Sequence, residues 1–134
     1  MCTRSQTSRR HYVCVSCRVS IKRHGAPGRD GCPRCGGQLT DAGHDLEVPG
    51  KRDDAGWRAL TALLGAGVTF HSSCCDGPGW RPRTPREVRE RLAASRGTGL
   101  SAAAALTTRD VGELSARRRE RARVPRSRAG RRAA

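Results

Sequence analysis

The apolar positions of the chain alternate at strand spacing near its start and recur at helical spacing in its middle. Residues 19–22 (Val-Ser-Ile-Lys) alternate like a short strand, and residues 38–40 (Gln-Leu-Thr) are a second strand candidate. An apolar stripe at positions i, i+3 and i+7 predicts a helix over residues 53–64, and its members are Trp57, Leu60 and Leu64. We therefore place Trp57 in the core.

Capping signals mark the ends of the predicted helices. The Asp-Asp pair at 53–54 can cap the first helix, and the Gly-Ala-Gly sequence at 65–67 stops it. Thr-Pro-Arg-Glu at 84–87 is a capping box with proline at the first helical position, and Gly97 and Gly99 end the helix that it opens. Two i,i+4 ion pairs should support this second helix: Arg86–Glu90 and Glu87–Arg91.

The last third of the chain is rich first in alanine and then in arginine. Residues 100–106 are rich in alanine and predict a short third helix, and residues 110–113 can open another that runs into the arginines. From Ser115 onward the chain has nine arginines and one acidic residue, with almost no apolar side chains. Burial cannot offset the ordering entropy of such a segment, so we expect a disordered tail.

The composition limits the core that this chain can build. Its 134 residues correspond to about one small domain, and they include one Phe, one Tyr, two Trp and one Met. Small domains with so few large apolar side chains usually depend on a metal ion or on disulfides. The seven cysteines are the candidates for that role.

The charge is strongly basic and unevenly distributed. The formal net charge is +15, and residues 80–134 alone carry +11. A basic half beside a neutral segment suggests a polyanionic partner, either nucleic acid or a nucleoprotein such as the ribosome. The alternative is a merely solvated basic surface, because a bias toward Arg, Gly and Ala can also reflect a GC-rich genome.

Two CxxC pairs supply ligands for a metal, Cys14–Cys17 and Cys32–Cys35. Zn²⁺ takes four thiolates tetrahedrally, and a two-residue spacer lets both sulfurs of a pair face one ion. The glycines at 36–37 leave backbone N–H groups free to point at sulfur. Two redox dithiols are the alternative, although no βαβ pattern surrounds them.

The start of the chain is polar, and no stretch approaches a membrane span. We therefore expect a cytoplasmic protein with reduced thiols and no membrane partner, which favours a metal over disulfides. Four thiolates leave no open position on the ion. The predicted Zn²⁺ is thus a single structural ion, and no enzymatic activity or small-molecule substrate is implied.

The segment 11–42 resembles the zinc ribbon, or rubredoxin-like, superfamily. The resemblance rests on the four cysteines together with Pro33 and Gly36. It implies a fold of short β-hairpins around zinc, but it does not imply a function, because zinc ribbons serve many processes. One departure is Arg18-Val19, which follows Cys17 where ribbons often place glycine, so a less regular first turn is expected.

The whole chain also resembles a group of small actinobacterial zinc-ribbon proteins of unknown role. The segments that carry this resemblance are Asp41-Ala42-Gly43-His44, Gly56-Trp57-Arg58, Phe70-His71-x-Ser73-Cys74-Cys75, Gly77-Pro78-Gly79-Trp80-Arg81-Pro82-Arg83-Thr84 and Thr108-Arg109-Asp110.

A second group of potential ligands consists of His44, His71, Cys74 and Cys75. These residues can form a second metal site, which is the alternative to a single ion. They can also form a Cys–His nucleophile pair, His71 with Cys74 or Cys75, because thiolate plus imidazole is what that chemistry needs. The plain alternative is a buried cysteine-rich turn beneath the helices.

Aromatic and basic residues alternate around position 80. Trp80 among Arg81 and Arg83 on a proline-stiffened loop is typical of contacts to single-stranded nucleic acid, unless Trp80 simply packs into the core. The further candidates for phosphate contact lie in the arginine-rich tail: Arg117, Arg118, Arg119, Arg121 and Arg123.

These patterns predict a small α+β protein: an N-terminal zinc ribbon, then two or three short helices and a disordered Arg-rich tail. The expected segments are a flexible N-terminus at 1–10, the ribbon at 11–42, a linker at 43–52, a helical segment at 53–96 with a Cys-rich loop at 71–83, and a weakly helical to disordered basic tail at 97–134. The expected function is non-catalytic zinc-dependent contact with nucleic acid or a nucleoprotein. A protein-interaction adaptor is the second hypothesis, and an enzyme that uses His71 is the third.

Overall fold

Three antiparallel strands open the fold in the computed structural model, which describes residues 9–25, 31–71 and 77–123. They are β1 (Arg10–Cys14), β2 (Val19–Arg23) and β3 (Thr40–Gly43), in the sheet order β2-β1-β3. The flexible N-terminus that we predicted lies outside the described residues except for its last two positions, and Arg10 already belongs to β1.

The central strand β1 separates two parts of the core. Tyr12 and Cys14 point to one face, where they pack with Cys32 and Leu39. Val13 points to the opposite face and packs with a cluster formed by Ala42, Leu46, Trp57 and Leu60. Successive strand residues face opposite sides. The sheet therefore has the CxxC turns on one face and a helix on the other.

The predicted strand at 19–22 is confirmed by β2, but the second candidate is displaced along the chain. Gln38 and Leu39 precede β3, which begins only at Thr40. Tertiary pairing decides this boundary, because β3 takes its register from β1, with Thr40 opposite Val13. Local residue type at 38–40 does not contain that information.

Four helices follow the sheet: α1 (Asp54–Gly65), α2 (Pro85–Thr98), α3 (Ala102–Leu106) and α4 (Val111–Arg123). The predicted caps are confirmed. The Asp53 carboxylate accepts from the Gly56 N–H at 2.9 Å, and the Thr84 hydroxyl accepts from the Glu87 N–H at 3.3 Å. Gly99 ends α2 in the left-handed conformation with φ +70°.

Helix α1 is buried on two sides rather than along the single predicted stripe. Trp57 and Leu60 face the sheet, as expected, whereas Leu63 is buried against α2 and α3 and Leu64 is only half-buried. The second core cluster consists of Ala59, Leu63, Val68, Val88 and Leu106. Because α1 lies between the sheet and the later helices, one amphipathic stripe cannot describe its buried surface.

The segment between β3 and α1, predicted as a linker, is fastened to the core. Leu46 is buried, and two backbone hydrogen bonds join this region to Phe70 after α1. The Phe70 N–H donates to the Ala42 carbonyl at 2.7 Å, and the Asp45 N–H donates to the Phe70 carbonyl at 2.9 Å. Residues 68–70 thus lie beside the end of β3.

The small α+β class is confirmed, with four helices where two or three were expected. The fourth is α4, which begins where residues 110–113 predicted a further helix and carries the arginine run as far as Arg123. Leu114 anchors it, since that side chain is fully buried. We predicted disorder from Ser115 onward, which is wrong for residues 115–123, because they belong to α4. Residues 124–134 lie outside the described residues.

Candidate metal centre and basic surface

The four cysteines of the CxxC pairs meet at one end of the sheet. Their sulfur atoms all lie within 4.8 Å of one another, and Cys14 Sγ is 3.7 Å from Cys35 Sγ. Four thiolates around one tetrahedral Zn²⁺ at about 2.3 Å have sulfurs roughly 3.8 Å apart. Cys14 and Cys32 are buried, Cys17 is half-buried and Cys35 is exposed. The cluster can therefore hold a metal ion at this end of the sheet.

Backbone amides support the sulfurs of the second pair. The Arg34 N–H donates to Cys32 Sγ at 3.4 Å, and the Gly37 N–H donates to Cys35 Sγ at 3.3 Å. These contacts confirm that the residues after each cysteine direct N–H groups at sulfur. Such bonds orient a metal ligand and stabilise its negative charge.

The residue after each pair adopts the same left-handed backbone conformation. Gly36 has φ +72°, and Arg18 has φ +52°. Both turns therefore place the residue after the pair at positive φ, although Arg18 is not a glycine. The Arg18 guanidinium contacts the Asp54 carboxylate and the Lys51 carbonyl, so the strained residue also links the turn to the start of α1.

The thiols of the cluster differ in acidity. The backbone N–H groups of Arg34 and Cys35 lower the pKa of Cys32 to about 7, because they stabilise its thiolate. The neighbouring Cys35 side chain, together with desolvation, raises the pKa of Cys17 to about 12. Ionising all four thiols at neutral pH therefore requires a cation, and binding that cation must release protons.

The second group of potential ligands is partly assembled. The imidazole rings of His44 and His71 have centroids 5.1 Å apart and planes at 84°. Cys74 and Cys75 lie outside the described residues. The structure thus brings two of the four candidates together, and the nucleophile pair with His71 stays a prediction.

Trp80 and Arg81 are engaged with the protein itself. The Arg81 guanidinium donates to the carbonyls of Thr69 and Trp80, each at 2.9 Å, and lies over the Phe70 ring at 5.7 Å. Burial lowers the pKa of Arg81. Trp80 packs against the Arg91 guanidinium at 4.7 Å. Arg81, proposed from sequence as a phosphate contact, is therefore directed at backbone carbonyls instead.

Arg83 remains at the surface. Its guanidinium forms an ion pair with Glu47 at 2.8 Å, and both side chains are 79 % exposed. An exposed pair of this kind contributes little to stability and exchanges partners easily. Arg83 therefore stays a candidate for contact with an external anion.

Exposed arginines are also present on α2 and α4. Arg119 and Arg123 are exposed on α4, whereas the side chains of Arg117, Arg118 and Arg121 lie outside the described part of the chain. Helix α4 packs against α2. On α2 the exposed arginines share one side of the helix, and they are Arg86, Arg89 and Arg96.

Sequence reasoning missed Arg89 and Arg96 as candidate contacts. Within the described residues neither side chain forms an ion pair, while Arg86 pairs with Glu90 at 3.0 Å. Their spacing of seven residues, which places them on one helix face, was the available signal. In the sequence this signal is weaker than the dense arginine run after Ser115.

Comparison of the chain with protein-family models, with curated proteins and with solved structures gives no match. None of the helices in the described ranges combines the length and the apolar character that crossing a membrane requires.

Proposed function

We propose that this chain is a non-catalytic zinc-binding protein of the zinc-ribbon type whose arginine-bearing helices contact nucleic acid. The clustering of four cysteine sulfurs within 4.8 Å is the observation that carries the metal-binding part. Four thiolates leave a tetrahedral ion without an open position, which favours a structural ion over a catalytic one. The ion would join two turns that otherwise depend on a thin core.

Zinc is the proposed ion because four thiolates select Zn²⁺ or an iron–sulfur type of centre. Elemental analysis of the purified chain should find one zinc and no iron per molecule. Cys17→Ser and Cys35→Ser should each lose the metal. The matched control is Cys2→Ser, a cysteine outside both CxxC pairs, which should retain it. Stoichiometric iron in place of zinc would refute the choice of metal.

The nucleic-acid part of the proposal is supported by charge and exposure. Helices α2 and α4 pack together and expose at least five arginines, which are Arg86, Arg89, Arg96, Arg119 and Arg123. Arginines that contact phosphates displace condensed counterions, which produces affinity without sequence readout. The partner proposed is therefore a phosphate backbone, in RNA or DNA, rather than a particular sequence.

Fluorescence anisotropy of the zinc-loaded chain with single- and double-stranded RNA and DNA tests this proposal. Binding should weaken steeply between two salt concentrations. The variant Arg89→Gln/Arg96→Gln should reduce the log–log salt slope by roughly 1.4–1.8. The control Arg52→Gln/Arg58→Gln removes the same charge from exposed positions at and within α1 and should change the slope less.

Two results would refute the nucleic-acid assignment. One is the absence of binding at low salt, because a chain of net charge +15 should associate at least nonspecifically. The other is equal weakening by the two double variants, which would mean that overall charge, rather than the α2–α4 surface, causes the association. Either result would leave the zinc assignment intact and favour a protein-interaction adaptor.

A further inference from the structure

Two histidines from distant parts of the chain meet beside the end of β3. His44 lies between Ala42 and Asp45, the two residues whose backbone groups bond to Phe70, and His71 directly follows Phe70. The backbone pairing itself therefore brings the imidazoles together. Gly43 permits this close approach, because a Cβ at that position would lie 2.7 Å from the Phe70 carbonyl carbon and oxygen.

The separation of the two rings matches that of two imidazoles on one metal ion. Their centroids are 5.1 Å apart. Two imidazoles bound at about 2.0–2.1 Å to a tetrahedral ion have ring centres roughly 5 Å apart.

A hydroxyl group fixes the orientation of one of these rings. His71 Nδ1 lies 2.8 Å from Thr69 Oγ1. When Nδ1–H donates to that oxygen, Nε2 is the atom that keeps a lone pair for a metal. Histidines that bind metals commonly donate the other ring N–H to such a partner, which sets the tautomer and the ring angle.

From this geometry we propose that His44 and His71 form a second site, separate from the four cysteines, for a divalent transition metal that prefers imidazole. Suitable ions are Zn²⁺, Ni²⁺ and Cu²⁺, because neutral imidazole is a good ligand for all three. The site joins the end of β3 to the segment that follows α1. It is independent of the nucleic-acid assignment. Since only two protein ligands define it, it is weaker than the four-cysteine centre.

Isothermal titration of the zinc-loaded full-length chain with Ni²⁺ tests the proposal. One additional equivalent should bind, and a colorimetric zinc chelator should detect no zinc released from the cysteines. His44→Gln and His71→Gln should each weaken this binding by more than the roughly 10–100-fold expected for loss of a supporting partner. Thr69→Val, which removes only the hydroxyl, should fall within that 10–100-fold range.

The matched control is His24→Gln, because His24 is exposed and accepts a bond from Arg9 away from this pair. It should bind Ni²⁺ as the parent chain does. Cys74→Ser/Cys75→Ser tests whether the nearby thiols are responsible instead. If this double variant abolishes binding while the histidine variants retain it, the proposal is overturned.

A measurement on the unaltered chain covers the case in which a variant fails to fold. Substoichiometric Ni²⁺ should first broaden the imidazole resonances of His44 and His71 in the NMR spectrum, before those of His11 and His24. Absence of a second equivalent, or broadening that begins at other histidines, would overturn the site.

Discussion

The Arg91 guanidinium carbon lies 4.7 Å from the centre of the Trp80 ring, although sequence spacing had paired Arg91 with Glu87. Arg91 also donates to the carbonyls of Thr108 and Arg109, in the turn before α4. One buried side chain therefore joins the Trp80 loop, α2 and the start of α4. The face of Trp80 that Arg91 covers is consequently closed to a stacked base.

We predict that Arg91→Met destabilises the protein by about 2–4 kcal/mol, since two carbonyls lose charged donors while the apolar stem is kept. Urea unfolding of the zinc-loaded chain measures this change. Arg89→Met is the matched control on the same helix. Because the Arg89 side chain is exposed, this substitution should change the free energy of unfolding by less than about 0.5 kcal/mol. Equal effects of the two substitutions would contradict the role assigned to Arg91.

Gly43 should be intolerant of a side chain. Its φ is +95°, and an added Cβ would meet the Phe70 carbonyl at 2.7 Å. Gly43→Ala is expected to destabilise the protein by about 2–4 kcal/mol through backbone strain and displacement of the 68–71 segment. Thermal and urea unfolding report the change.

Gly65→Ala provides the comparison for that substitution. Gly65 lies in the last turn of α1, and nothing lies within 4 Å of an added Cβ. Alanine there should stabilise the protein by about 0.4–1 kcal/mol. A destabilisation equal to that of Gly43→Ala would show that glycine loss alone, and not the contact with Phe70, is responsible.

Truncation before and after α4 should have different consequences. A chain that ends at Glu113 lacks Leu114, whose side chain is fully buried. Its free energy of unfolding should therefore fall by roughly 2–5 kcal/mol. A chain that ends at Arg123 should keep the stability of the full protein, because the composition of the remaining tail predicts disorder. Calorimetry of both chains checks this expectation.

Binding experiments on truncated chains must take this loss of stability into account. Weakened nucleic-acid binding by the chain ending at Glu113 would not identify the tail as the contact surface, because the fold itself would be compromised. The chain ending at Arg123 removes four arginines without touching Leu114. Binding by the chain that ends at Arg123 therefore reports the effect of the lost charge, because the fold should stay intact.

Acid should destabilise the three-stranded sheet through His11, which lies in β1. This side chain is 6 % exposed, and its Nδ1 lies 2.8 Å from Ser20 Oγ. Desolvation, aided by Lys22 and opposed by Asp45, lowers the pKa of His11 below 6.5. The unfolded chain thus binds a proton before the folded chain does, and stability falls as the pH drops below about 6.5.

His11→Gln removes this contribution. Unfolding free energies of the zinc-loaded parent and variant should be compared at pH 7.5 and 5.5. The parent should lose more stability than the variant over this interval, and the difference isolates His11 from acid effects at the cysteines. A parallel loss in both proteins would contradict the prediction.

The features that were predicted correctly from the sequence depend on residues within about one helical turn of each other. The Asp53 and Thr84 caps, the glycines after α1 and the two-residue spacers of the CxxC pairs all involve partners near in sequence. Their geometry depends on local backbone conformation, which residue type largely determines. The α+β class and the cysteine cluster could be read from such signals.

Contacts between distant segments could not be read in this way. The start of β3 at Thr40, the hydrogen bond from Arg81 to the Thr69 carbonyl and the meeting of His44 with His71 all depend on which segment lies beside which. Many pairings are compatible with one pattern of residues, and packing of the whole chain selects among them. Local sequence therefore determined the caps, the turns and the two cysteine pairs of this protein, whereas tertiary packing decided which polar side chains serve the core and which remain at the surface.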